Sequence, residues 1–240
     1  MDSCFRVGCN LMKALRNILT IITIGLTFPA FGQADTVFIQ KDSLFGTTQS
    51  IFFDNNKNSN FYDEINYWEF LSFDNESYKY SMDFLKENNL TLTKKTPIIS
   101  QTKWVRLEQY KGTFFAYHPC DFYNHYRISI NDTTFIDWTG EGPIVNKIID
   151  QREIDNKTYE FKLRGIISED RKLIIHIIDN KKGIAVFEET RNDTNRHYYY
   201  LMIASDKIRE VPLIVNNCKT YKQLELYFEN PNYSELLKRK

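Results

Sequence analysis

From Lys103 onward, short runs of β-branched and aromatic residues alternate with turn-forming Asn, Asp, Lys and Gly, which is a strand-and-hairpin pattern. Five pairs of runs follow. Residues 104–110 and 113–117 flank Lys111-Gly112, residues 126–130 and 133–138 flank Asn131-Asp132, and residues 148–154 and 158–164 flank Asp155-Asn156-Lys157. Residues 172–178 and 184–188 enclose a five-residue turn, and residues 197–204 and 208–215 enclose Ser205-Asp206-Lys207. Alternation is cleanest over 158–164, where Tyr159, Phe161 and Leu163 face one way and Glu160, Lys162 and Arg164 the other, so this strand is expected to have one wet face. Tyr126, Ile128 and Ile130 repeat the pattern. Residues 173–178 are apolar except for His176, as in a strand covered on both sides, with His176 a core histidine. Pro212 interrupts the last run and points to a sheet edge.

These runs predict a mainly β protein: an antiparallel meander, either closed as a barrel or folded as a two-sheet sandwich, two outcomes that the pattern does not separate. A small α/β portion precedes it. There, residues 36–40, 47–53 and 66–73 read as strands and 77–88 as a helix, capped by Asp74 or Asn75 and with Tyr78, Met82 and Leu85 on one face. The polar stretch 54–60 reads as an exposed loop. Near the C-terminus, residues 220–228 read as a helix ending before Asn230-Pro231, and residues 233–238 add a final helical turn.

The start of the chain changes the picture. Lys13 and Arg16 precede an apolar run over 18–28 that closes on Ala30-Phe31-Gly32, the organisation of a secretory signal peptide. The run is well short of the roughly 20 residues a membrane-spanning helix needs. The expected organisation is a signal peptide over 1–32, an α/β portion over 33–100, and a β domain with a C-terminal helical segment over 101–240. The mature protein is expected to be secreted or periplasmic, without a transmembrane anchor. Loss of Arg6, Lys13, Arg16 and Asp2 with the leader leaves 28 basic and 30 acidic residues, a net charge of −2. That balance argues against nucleic acid as a partner, because phosphate binding needs a concentrated positive surface. Cys4 and Cys9 leave with the leader, so Cys120 and Cys218 remain as an expected disulfide in an oxidising compartment.

Two clusters carry candidate chemistry. His118-Pro119-Cys120-Asp121 with His125 has donors for a metal, with His118, Asp121 and His125 as the candidate ligands. The spacing matches no standard metal signature, and a Cys in a disulfide cannot ligate, so neither metal nor other cofactor is expected. Asp137-Trp138-Thr139-Gly140-Glu141-Gly142 places two carboxylates beside an indole in a glycine-rich turn. Asp137, Trp138 and Glu141 are the candidate ligand-binding residues, since such sets bind or cleave sugars, although the same composition also makes plain turns. No nucleophile elbow, phosphate loop, dinucleotide fingerprint or zinc-protease helix occurs, and no catalytic residue is named. With 18 Phe, 15 Tyr and 3 Trp, a closed barrel could line a ligand cavity with rings. Binding of a small molecule or glycan is therefore the expected function. The alternatives are an envelope protein-interaction module, an inhibitor or assembly factor that meets a protein partner, and a hydrolase using the loop carboxylates or histidines.

Overall fold

The computed structural model describes residues 36–44, 47–218 and 224–239; the expected signal peptide over 1–32 lies outside them. In chain order the elements are β1 (Val37–Leu44), β2 (Thr47–Asp54), α1 (Asn60–Ile65), α2 (Asp74–Glu87), β3 (Lys103–Tyr110), β4 (Thr113–His118), β5 (Arg127–Ile130) and β6 (Thr134–Thr139). There follow β7 (Gly142–Asp155), β8 (Thr158–Gly165), β9 (Ser168–Asp179), β10 (Ile184–Arg191), β11 (Arg196–Ala204), β12 (Leu213–Asn217) and α3 (Tyr233–Leu236). Strands β5 to β11 form an antiparallel meander, and β3 lies between β11 and β5, with Ala204 opposite Trp104 and Trp104 opposite Ile128. This last pairing closes an eight-stranded antiparallel barrel rather than a sandwich.

The alternation read from the sequence sets what faces inward. Trp104, Ile128, Phe135, Ile148, Phe161, Leu163, Leu173, Ile175, Phe187 and Met202 form one buried cluster inside the barrel. Each contributes roughly 1.5–3 kcal/mol relative to remaining exposed. Eight strands leave an interior just wide enough for side chains to fill. Ile98 and Ile99, on the segment leading into β3, pack against the same cluster. The β3–β4 turn is tight because Lys111 and Gly112 both take positive φ, 49° and 73°, which matches the right-handed twist of the flanking strands.

Beyond Arg106, β3 leaves the barrel. Leu107–Tyr110 pair with β4, β4 runs parallel to β12, and β12 is antiparallel to β2, which carries β1 at the edge. Four of the five expected hairpins form, but the fifth does not. Residues 205–210 make a 3-10 turn with Ile208 buried, and β12 crosses to the side sheet instead of returning along β11. Pro212 therefore marks the entry to a central strand, not an edge: its carbonyl accepts from Ala116 N at 2.9 Å and sets β12 beside β4. Leu213, Ile214 and Val215 are all buried, as a strand covered on both faces requires.

Other expectations change as well. Residues 66–73 are irregular rather than a strand, because Asn66 Oδ1 takes bonds from Trp68 Nε1 (2.9 Å) and Ser205 Oγ (2.6 Å) and turns the chain. Of the expected helix over 220–228, residues 220–223 lie outside the described residues, and 224–228 are not helical. Glu225 instead accepts from Asp121 N (2.7 Å) and Asn216 Nδ2 (2.9 Å), and these long-range bonds override local propensity. The loop after β2 ends at Ser59, whose hydroxyl accepts from Phe61 N and caps α1. The expected helix appears as α2; no side chain caps it, Asp74 Oδ2 accepting from Leu71 N at 2.7 Å. It lies over β7, where Ser81 Oγ accepts from Val145 N at 3.0 Å. The final turn forms as α3, with Asn232 as its cap.

The disulfide joins Cys120 to Cys218, their Cα atoms 5.6 Å apart. Residues 36–240 pack as one unit, the helices and side sheet built against the barrel wall. Among the described residues, no helix is long and apolar enough to cross a membrane.

Candidate ligand-binding pocket

The side chains of Asp137, Trp138 and Glu141 do not converge, because consecutive strand residues point to opposite faces. Asp137 points into the barrel, Trp138 points outward, and Glu141 is exposed in the turn. Asp137 is fully buried, and its carboxylate is filled. Arg171 Nη1 and Nη2 donate to its two oxygens at 2.6 and 2.9 Å, Asn146 Nδ2 donates at 2.8 Å, and the Tyr126 hydroxyl donates as well. Arg171 also reaches Glu189 at 2.6 Å, and Arg191 Nε donates to the other Glu189 oxygen at 2.5 Å. Two carboxylates and two guanidiniums thus balance one another. Burial opposes the charge on Arg171, but Asp137, Tyr126 and Glu189 hold it protonated well above its ordinary range. Burial, with Asp137 close by, pushes the Tyr126 phenol well up. This polar layer, above the apolar one, occupies the barrel interior with side chains.

The second sequence-predicted cluster is likewise committed elsewhere. Cys120 is in the disulfide, and Asp121 caps the 3-10 turn Phe122–Asn124 by accepting from Tyr123 N at 3.1 Å. His118 Nε2 bonds Glu64 at 2.8 Å, between the rings of Phe61 and Phe122. His125 Nε2 donates to the carbonyl of Ile65 at 2.7 Å. Burial, with Arg127 as the next cause, lowers His125 to about 3 and keeps it neutral. Among the described residues, no three His, Cys, Asp or Glu side chains converge where a metal ion could be held.

A cavity of about 590 Å³ lies outside the barrel. Its floor is the outer face of β5 and β6, with His125, Arg127 and Trp138. Its walls are α1, the irregular segment after it, and the 3-10 turn before β5, which bring Tyr67, Leu71, Phe73 and Phe122 to the rim. Gly140 lets the wall close, because any Cβ there would run into the backbone of Tyr123. Trp138 is only 5% exposed, its Nε1 donating to Ser129 Oγ at 2.8 Å. Its ring meets Trp68 and Phe70 edge-on at 5.6 and 5.2 Å. Arg127 is wedged between the two indoles, its guanidinium carbon 5.1 Å from each ring centre.

Arg127 is the unusual group in this pocket. Its Nε and Nη1 are buried without a hydrogen-bond partner among the described residues. Burial lowers its pKa to about 10, only partly opposed by Asp74. A buried cation with unfilled donors is unfavourable even when it stacks on two rings. The carboxylates of the same pocket are engaged: Asp63 with Arg209 (2.5 Å), Glu64 with His118 (2.8 Å), Glu69 with the Tyr67 hydroxyl (3.1 Å) and Asp74 with Leu71 N (2.7 Å).

Of the sequence-predicted residues, the pocket gathers Trp138 and His125 and leaves out Asp137, Glu141, His118 and Asp121. Sequence reading missed Arg127, Tyr67, Leu71 and Phe73. The signal for Arg127 was present: it is the outward-facing cation in the alternation Tyr126, Ile128, Ile130. Comparison with protein-family models, curated protein sequences and solved structures returns no match.

Proposed function

We propose that this protein is an exported small-molecule-binding protein whose ligand sits in the pocket over Arg127 and Trp138. The observation that carries the reading is the Arg127 guanidinium in the floor of a cavity of about 590 Å³, its Nε and Nη1 buried without a hydrogen-bond partner among the described residues. That volume is in the range of small-ligand sites, which combine apolar walls with a few converging polar groups. Export is supported by the leader pattern before Gly32 and by the Cys120–Cys218 bridge. An apolar small molecule is favoured over a glycan, since Arg127, Trp68 and Phe70 already pack around the Trp138 ring and leave no free platform for a sugar. A hydrolase reading gains no support from Asp137, which is 0% exposed and salt-bridged.

The test is titration with the fluorescent apolar probe 1-anilinonaphthalene-8-sulfonate. The folded protein is expected to bind it saturably at one site. The double variant Leu71→Asp/Phe73→Asp is expected to lose that site without unfolding, because these side chains are 47% and 53% exposed. Equal binding by the variant, or no saturable site in the natural protein, overturns the reading.

A further inference from the structure

Inside the pocket, donors and acceptors do not balance. Each lining carboxylate already meets a donor, and His125 is neutral with its Nε2 on a carbonyl. Arg127 differs: its buried Nε and Nη1 meet no acceptor among the described residues. The missing group is therefore an acceptor, and a charged one, because a buried guanidinium pairs best with an anion of planar, forked geometry. The neighbouring carboxylates restrict that anion. Asp74 acts electrostatically on Arg127, and Asp63, Glu64 and Glu69 line the same space. Asp63 is offset by Arg209, and the remaining acidic side chains oppose a dianion such as a phosphate monoester more strongly than a single negative charge. The remaining surface asks for the opposite chemistry. Tyr67, Leu71, Phe73 and Phe122 are 42–53% exposed at the rim, and a bound apolar chain would cover them.

We infer that the ligand is an amphipathic monocarboxylate, its carboxylate on Arg127 and its apolar body against Leu71, Phe73 and Phe122. This rests on the pocket reading above and adds the class of ligand to it. The head group meets Arg127 where Trp68 and Trp138 flank the guanidinium, so one charge-assisted pair sets the preference.

The experiment is a head-group series. Dodecanoate, dodecanol and dodecylammonium, each below its aggregation concentration, are titrated calorimetrically into the protein and into its Arg127→Met variant. Dodecanoate is expected to bind at least about 10-fold more tightly than dodecanol, as loss of a charged hydrogen-bonded partner implies, and dodecylammonium most weakly. In Arg127→Met, dodecanoate is expected to lose its advantage over dodecanol. Equal binding of all three, or preference for the ammonium, overturns the carboxylate inference and leaves the pocket standing. Binding of none, together with no probe site in the fluorescence titration, overturns both. The series in the natural protein decides the matter even where the variant is not recovered folded.

Discussion

Arg127→Met is expected to leave the ligand-free protein slightly more stable, although it removes a half-buried arginine. The magnitude follows from three contributions. The fall from the ordinary guanidinium value to about 10 corresponds to about 3 kcal/mol by which the fold disfavours the charge. Against it stand two cation–π contacts, to Trp68 and Trp138 at 5.1 Å each, worth about 1 kcal/mol apiece. Methionine has nearly the same reach and fills an irregular gap without a charge, so little packing is lost. The net is a gain of about 1 kcal/mol, or roughly 2–4 °C in Tm for a chain of this size. Urea unfolding of both proteins, stripped of ligand, measures it. A residue kept for binding at the expense of the fold shows this sign, stabilised by removal while function is lost. A loss of about 2 kcal/mol or more would refute the reasoning and make Arg127 a structural cation.

Arg171→Met has the opposite expectation. It removes the cation paired with Asp137 and one of the two paired with Glu189 and is expected to cost about 3–5 kcal/mol in chemical denaturation, whereas adding Asp137→Asn and Glu189→Gln to it is expected to recover part of the loss. His125, lowered to about 3 by burial, is neutral in the native state while the unfolded chain protonates below its ordinary value near 6.5. Its contribution is therefore present above pH 6.5 and is lost as pH falls from 6.5 toward 3, about 3 kcal/mol by pH 4. Unfolding of His125→Gln across that range is expected to show a flatter pH dependence, and an unchanged slope would contradict it. Replacing Cys120 and Cys218 by Ser is expected to lower stability by up to about 4–5 kcal/mol, because the bridge closes a loop of 98 positions; an unshifted denaturation midpoint would count against that.

What could be read from the chain alone was what is local. Lys111-Gly112 and the alternation of Phe161 and Leu163 with Lys162 and Arg164 specify hairpins within a few residues. Closure of the barrel depends on Trp104 meeting Ile128 and Ala204, and no local pattern encodes such a meeting. The same limit explains β12, whose apolar residues fit a hairpin partner as well as a central strand until β2 and β4 are placed beside it. At the site, period-two alternation already separates Asp137 from Trp138, and composition alone drew them together. The pocket was illegible because its floor and its walls come from segments far apart in sequence. Trp68 and Phe70 look like strand residues in a run of aromatics, and only the bonds of Asn66 turn them over Trp138.

The most direct measurement of the pocket uses the indole N–H signals in a two-dimensional nitrogen–proton NMR spectrum. The chain has three tryptophans, so three signals are expected. Trp68 and Trp138 flank Arg127, whereas Trp104 lies in the barrel core and serves as an internal reference. Addition of dodecanoate is expected to shift the Trp68 and Trp138 signals together, saturating at one equivalent, with Trp104 unmoved. No shift in any signal, or a Trp104 shift as large as the others, would contradict a ligand site outside the barrel at Arg127.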